Sequence, residues 1–179
     1  MLNDSTFVGK SIDMNYGSFF IYNSRSKEKK WIKFNHKFRY PDKKYEDQSY
    51  LNSICVHPQK KKIIVAYRYF DLIQLYDDEG KLLQECCFSK IQKPLLSTVA
   101  SGMAPEASFY NLSTCGTNKY CYILRANKTG IQLQNQPQKL SGQLIVMDWS
   151  GNIKNIYPCP ELLLSLIHIS EPTRRVVIS

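Results

Sequence analysis

Apolar and aromatic residues fall in short runs along the chain, and polar turn formers separate them. Ile63-Ile64-Val65-Ala66-Tyr67 is one such run, and Tyr120-Cys121-Tyr122-Ile123-Leu124 is another. Short runs rich in β-branched and aromatic residues predict strands rather than helices. Each of the two opens on a lysine, Lys62 or Lys119, and closes on an arginine, Arg68 or Arg125. The runs that follow also match. Ile73-Gln74-Leu75-Tyr76 leads into Asp77-Asp78-Glu79-Gly80, and Leu144-Ile145-Val146-Met147 leads into Asp148-Trp149-Ser150-Gly151. The shared Asp-x-x-Gly predicts a tight turn, because Asp hydrogen-bonds the turning backbone and Gly accepts positive φ. A further strand follows each turn, over 81–87 and 152–157.

A strand also precedes each of these units. Residues 51–56 run up to His57-Pro58, where proline ends pairing, and 108–113 run up to the turn Gly116-Thr117-Asn118. The chain thus holds a four-strand unit at about 50–88 and another at about 107–157. A degenerate unit at about 3–40 joins 6–10, 18–23 and 30–34 and lacks its first strand. Four antiparallel strands in roughly 40–55 residues is the period of a β-propeller blade. In the competing architecture, a single β-sandwich, strands recur without repeated lettering. The matched registers predict an all-β fold, an open arc of four-stranded antiparallel blades. Two long connections, 89–106 with Pro94, Gly102 and Pro105 and the glutamine-rich 128–141 with Pro137, predict surface loops.

The run Asp148-Trp149-x-Gly151-Asn152, the preceding Lys119-Tyr120-Cys121-Tyr122, and His57-Pro58 before a lysine-rich turn resemble the TolB-like six-bladed β-propeller proteins of Bacteroidales. The resemblance spans about residues 3–161, and its motifs are structural rather than catalytic. It implies that residues 1–163 are a fragment of a six-bladed β-propeller with fewer than three of its blades. It also implies an exported parent protein, periplasmic or an outer-membrane lipoprotein, without an established enzymatic activity. The chain departs from the family pattern at Met1-Leu2-Asn3-Asp4-Ser5, which carries neither the basic nor the apolar region of a signal peptide.

Composition adds little to this picture and removes some alternatives. The 179 residues are 43% hydrophobic and 22% charged, as expected of one ordered domain. No apolar run reaches the roughly 18 residues of a membrane helix. The net charge is +9, and much of it is local. Between Arg25 and Lys44 lie nine basic residues against Glu28 and Asp42, and Lys60-Lys61-Lys62 forms a second run. Such charge attracts phosphates or an anionic membrane surface, yet it is also the pattern of a solvated hairpin tip and turn. Trp31, Phe34, Phe38 and Tyr40 interleave with Lys33, Lys37 and Arg39, a mixture that can stack and hold single-stranded nucleic acid. No nucleic-acid motif accompanies it, and an outer strand shows the same alternation.

Catalytic constellations are missing from the sequence. The six cysteines at 55, 86, 87, 115, 121 and 159 include no C-x-x-C, so buried thiols acting as small apolar fillers are expected. Cys86 and Cys87 are adjacent and face opposite sides of a strand. His36 and His57 have no metal-ligand spacing. Asp77-Asp78-Glu79-Gly80 lacks the alternating ligands of a calcium loop. No G-x-S-x-G, P-loop or G-x-G-x-x-G occurs. The expectation is no metal, no cofactor and no catalytic residue.

The binding candidates are Arg68, Tyr69, Asp71 and Arg125. Matched register would put both arginines on one rim beside aromatics, where two guanidinium groups can clamp an anionic partner. The structural alternative pairs each arginine with an acid such as Asp71. The function expected is a non-catalytic binding or scaffold module with a protein or an anionic ligand as partner. The alternative is a fragment of a lactonase-like propeller hydrolase whose catalytic residues lie in other blades. The inner strands here supply only Asn52 and Asn111 for that chemistry.

The carboxyl end carries a different signal. Residues 164–174 resemble, in register, the translation of a transposase-based sequencing-library adapter, and Ile178-Ser179 fit the fixed bases beyond its index. Residues 164–179 are therefore expected to be non-native, with the natural frame diverging at or just before Leu164, and fold reasoning excludes them.

Overall fold

The computed structural model describes residues 5–10, 17–57, 59, 61–98, 102–135 and 140–160. The amino-terminal residues 1–4, Pro58, Lys60, the glutamine-rich 136–139 and the tail at 164–179 lie outside the described residues.

The described residues form three antiparallel sheets in chain order. The first is a three-stranded meander of β1 (Thr6–Lys10), β2 (Phe19–Asn23) and β3 (Lys29–Ile32). After α1 (Lys43–Ser49) comes a four-stranded meander of β4 (Asn52–His57), β5 (Lys62–Tyr67), β6 (Leu72–Asp77) and β7 (Leu82–Cys87). The third sheet joins β8 (Ser108–Gly116), β9 (Tyr120–Thr129), β10 (Gly142–Asp148) and β11 (Ile153–Cys159), with α2 (Gly130–Asn135) between β9 and β10. Each strand expected from the sequence is present within a few residues. The two short helices were not expected. Asp42 caps α1 by accepting a hydrogen bond from the Lys44 amide, so the basic segment is a hairpin tip only as far as Lys30. The supposed loop at 128–141 begins as the end of β9 and turns into α2.

The central strands of the middle sheet, β5 and β6, are buried on both faces, as the unbroken run 63–67 requires. Ile63, Val65, Tyr67, Leu72 and Tyr76 look back at Phe19, Ile21 and Ile32 of the first sheet. Ile64, Ala66, Ile73, Leu75 and Cys55 look forward at Cys121, Ile123, Ile145, Met147 and Trp149 of the third. Alternation along each strand sends successive residues to opposite cores. Each fully buried Ile, Leu or Phe contributes roughly 1.5–3 kcal/mol by leaving water.

The sheets repeat in register as well as in strand order. Lys62 pairs with Asp77, and Tyr120 pairs with Asp148. The register shifts at the same step in both, between Leu75 and Tyr76 and between Val146 and Met147. The turns are also the same. Asp77 Oδ1 accepts from the amides of Glu79 and Lys81 at 3.0 and 2.8 Å, with Gly80 at φ 78°. Asp148 Oδ1 accepts from Ser150 and Asn152 at 2.9 Å each, with Gly151 at φ 89°. In the first sheet Asn23 Oδ1 accepts from Arg25 and Ser26 at 2.9 and 3.2 Å, and Lys27 takes the positive φ. The Asp-x-x-Gly motif thus has a third, degenerate copy that sequence matching missed.

Contacts between sheets repeat too. Asn52 on β4 donates to the Ser18 carbonyl of the first sheet at 3.1 Å. Asn111 on β8 donates to the Leu72 carbonyl of the second at 3.3 Å. A Cβ on Gly80 would strike the Ile32 side chain of the sheet before it, and a Cβ on Gly151 would strike Gln84 of the sheet before it. First to second and second to third sheet therefore meet through equivalent residues at both ends of the meander.

One expectation is corrected by this register. Matching Lys62 with Lys119 aligns Arg68 with Arg125. The strand pairing aligns Tyr67 with Arg125, since Asn52 opposes Tyr67 while Asn111 opposes Arg125. The lettering is slipped by one residue, and a slip of one moves a side chain to the other face.

Candidate functional site

The four residues singled out in the sequence separate into a buried pair and a surface pair. Arg125 is 7% exposed and Asp71 3% exposed. Arg125 Nε and Nη2 donate to Asp71 Oδ1 and Oδ2 at 3.2 and 2.9 Å, a bidentate pair that joins the third sheet to the second. Arg125 Nη1 donates to Gln143 Oε1 at 2.9 Å, and the guanidinium lies 4.8 Å from the Phe88 ring centroid. Ser89 Oγ donates to Asp71 Oδ2 at 2.9 Å. With its donors and its ring face engaged, Arg125 is not available to an anion. The clamp of two arginines on one rim is thereby withdrawn. Arg125 takes the structural alternative, pairing with Asp71.

Arg68 lies just past β5 and is half-exposed. Its amide donates to the Leu51 carbonyl at 2.8 Å, and its carbonyl accepts from Tyr110 at 2.7 Å. Its guanidinium makes no ion pair with the described residues. It sits close enough to Lys10 that, after partial burial, it helps hold that ammonium below its ordinary pKa. The Tyr69 ring packs on Phe109 with centroids 4.8 Å apart, and burial raises its phenol.

A concavity that sequence reasoning did not assemble lies on the connection from β3 to β4. Lys33, Phe34, His36, Lys37, Phe38, Glu46 and Tyr50 line a space of about 250 Å³. Its floor is aromatic. Phe34 stacks on Phe70 at 5.2 Å and meets Tyr50 at 4.4 Å and Tyr67 at 4.8 Å, while Phe38 stacks on Phe70 at 5.5 Å. These rings pack on one another, so they do not form the free stacking platform that single-stranded nucleic acid uses. The rim is basic. Lys33 and Lys37 are exposed, and neither makes an ion pair with the described residues. His36 Nε2 lies 2.8 Å from Glu85 Oε1, which fixes the ring on one side. Glu85 is partly desolvated, but bonds from Gln74, His36 and Asn35 outweigh this and hold its carboxyl below its ordinary pKa. Burial raises the Tyr50 phenol well above its ordinary value, so it stays a neutral donor, here to the His36 carbonyl. The aromatic–lysine interleaving was visible in sequence. Its folding into a cup depends on Phe70 and α1, which sequence patterning did not bring there.

The asparagines considered for hydrolase chemistry hold backbone carbonyls through Nδ2, while their Oδ1 atoms are buried without a partner among the described residues. Asn52 Nδ2 binds the carbonyls of Ser18 and Tyr50, and Asn111 Nδ2 those of Tyr67 and Leu72. His57 packs edge-on against Trp149 at 4.9 Å and bonds the Asn118 carbonyl at 2.9 Å. Trp149 Nε1 donates to the Thr117 carbonyl at 2.9 Å. His57 and Trp149 together pin the β8–β9 turn. Among the described residues no cluster of three His, Cys, Asp or Glu side chains is placed to hold a metal ion. No helix among them is long and apolar enough to cross a membrane.

No family model matches the chain, and no curated protein does. Among solved structures it is similar to the crystal structure of a member of the DUF4221 family from Bacteroides vulgatus. The TM-score is 0.57 at 13% sequence identity, over 90% of this chain and 51% of that one. The likeness is one of fold. This chain spans about half the length of that protein.

Proposed function

We propose that the chain is a non-catalytic binding or scaffold module built as an arc of a TolB-like, six-bladed β-propeller, and that the β3–β4 connection is its binding face for an anionic partner. The repetition of inter-sheet contacts supports the arc, since a constant step between like sheets is what radial stacking produces. The parent protein is exported in this reading, as the resemblance to envelope propellers of Bacteroidales implies. The observation that carries the binding role is the aromatic cup rimmed by Lys33 and Lys37. Fixed apolar walls with a few placed charges are the usual make-up of a ligand site. Lys33 and Lys37 make no ion pair among the described residues and outnumber Glu46 in the lining, which leaves a positive potential that draws an acidic protein segment and raises its rate of encounter.

The test uses a fluorescent acidic peptide of glutamate and tyrosine as probe. Binding is expected to weaken steeply with salt and to fall at least about tenfold in Lys33→Ala/Lys37→Ala, a change worth about 1.4 kcal/mol. The double variant removes two exposed side chains, so its melting temperature is expected to stay within a degree or two. Equal binding by the variant and the parent chain would overturn the assignment of this face.

A further inference from the structure

Cys55, Gly116 and Cys121 form a row across the junction of the second and third sheets. β4 lies along β8 there, with Ser53 Oγ 2.9 Å from Thr114 Oγ1 and accepting from the Thr114 amide at 3.1 Å. Two residues further along each strand, Cys55 faces Gly116. A Cβ built on Gly116 would overlap Cys55 Sγ, so the thiol occupies the space that a side chain would fill. Gly116 is in turn the direct cross-strand partner of Cys121 on β9. Opposed residues of an antiparallel pair carry their side chains on the same face, so the Cys121 side chain lies on the side of the β8–β9 pair where Cys55 Sγ sits. Both sulfurs belong to one apolar cluster, Cys121 at 0% and Cys55 at 5% exposure, and the neighbouring Cys55 thiol together with burial raises the Cys121 thiol well above its ordinary pKa.

We propose that Cys55 and Cys121 are an oxidisable pair whose disulfide staples the second sheet to the third. Of the other cysteines, Cys115 opposes Tyr122 on the other face of the β8–β9 pair, and Cys86 packs against the same cluster but is only partly buried. The oxidant required is a small disulfide such as oxidised glutathione. As the chain folds, the thiolate of Cys55 attacks one glutathione sulfur, and one glutathione thiolate leaves. The Cys121 thiolate then displaces the second glutathione from the mixed disulfide. Two protein thiols lose two electrons and two protons, one S–S bond forms, and glutathione disulfide becomes two reduced glutathiones. Burial then shields the bond from reductant. This inference is independent of the binding role proposed above.

The test unfolds the full chain under reduction and refolds it in a mixture of oxidised and reduced glutathione. Free thiols are then alkylated, and the protein is digested without reduction. The expected product is a linked pair of peptides carrying Cys55 and Cys121, two hydrogens lighter than the separate peptides. The linked protein is expected to melt several degrees above the reduced form, because the bond closes a long loop in the unfolded chain. Complete alkylation of both cysteines, or linkage of either to a different cysteine, would overturn the proposal. A linked product that melts below the reduced protein would also overturn it, since the bond would then be strained by the native packing.

Discussion

Arg125 stands in the third sheet where Tyr67 stands in the second. Both oppose the asparagine on the first strand of their own sheet, and both look back at the preceding sheet. The two sheets solve this position differently. Tyr67 is fully buried, and its hydroxyl donates to Ser18 Oγ at 3.3 Å. Arg125 instead brings a charge into the junction and meets Asp71 there.

A buried ion pair of this kind is costly to break from one side. Asp71→Asn or Arg125→Ala should each destabilise the protein by about 3–5 kcal/mol, because the remaining partner is left charged and buried. Replacing both with apolar residues of similar volume should cost much less than the sum of the single changes. Urea unfolding of the four proteins in a double-mutant cycle measures this. Additive losses would mean that the pair does not act as a unit.

The turn acid Asp148 makes a prediction about pH. Slight desolvation raises its pKa, but bonds from Lys154 and from the amides of Asn152 and Ser150 prevail and hold the carboxyl well below its ordinary value. A depressed carboxylate pKa contributes stability that is complete above the unfolded value of about 3.9. That contribution is lost as pH falls through the lower, folded value. Asp148→Ala should therefore cost about 1–2 kcal/mol at neutral pH, and the gap from the parent chain should begin to narrow as pH falls below the unfolded value of about 3.9. Asp148→Asn should cost less at neutral pH, because an amide oxygen can still accept both backbone bonds, as Asn23 does in the first sheet. Chemical denaturation at pH 7 and again near pH 3 separates the three proteins.

Much of the fold was legible because a strand buried on both faces writes an unbroken apolar run. The run 63–67 marks the middle sheet for this reason. The Asp-x-x-Gly turns were legible because positive φ and a side-chain acceptor leave few residue choices. The slip between Arg68 and Arg125 has the opposite cause. A run buried on both faces has no alternation to fix its phase, so lysine and arginine at the ends were matched by letter. The register is set instead by the turns and by Asn52 and Asn111. The helix α1 was hidden because one cap and two turns leave no period to detect. The aromatic cup was hidden because Phe70 arrives from a different sheet connection. The tail at 164–179, which resembles adapter sequence, lies outside the described residues.

The two outer sheet faces predict self-association. No described sheet covers the face of the first sheet that carries Phe7, Phe20 and Tyr22, and Phe7 is 41% exposed. On the third sheet the face turned from the second buries Leu124 and Val146 but leaves Tyr157 50% exposed and Tyr120, Tyr122 and Leu144 partly so. Apolar sheet faces of this kind promote association. Residues 1–179 alone should elute as oligomers or aggregate when concentrated, as light scattering on a sizing column would measure. A monodisperse monomer with cooperative melting would contradict this.

The proposed arc requires like sheets to be related by one repeated step around a common axis. An experimental crystal structure tests it by superposing the first sheet on the second and then the second on the third. The predicted result is the same rotation twice, about 60° each, as six blades around a circle require, with β4 and β8 nearest the axis. Two unequal rotations without a shared axis, or two sheets packed at about −30° as in a sandwich, would contradict it.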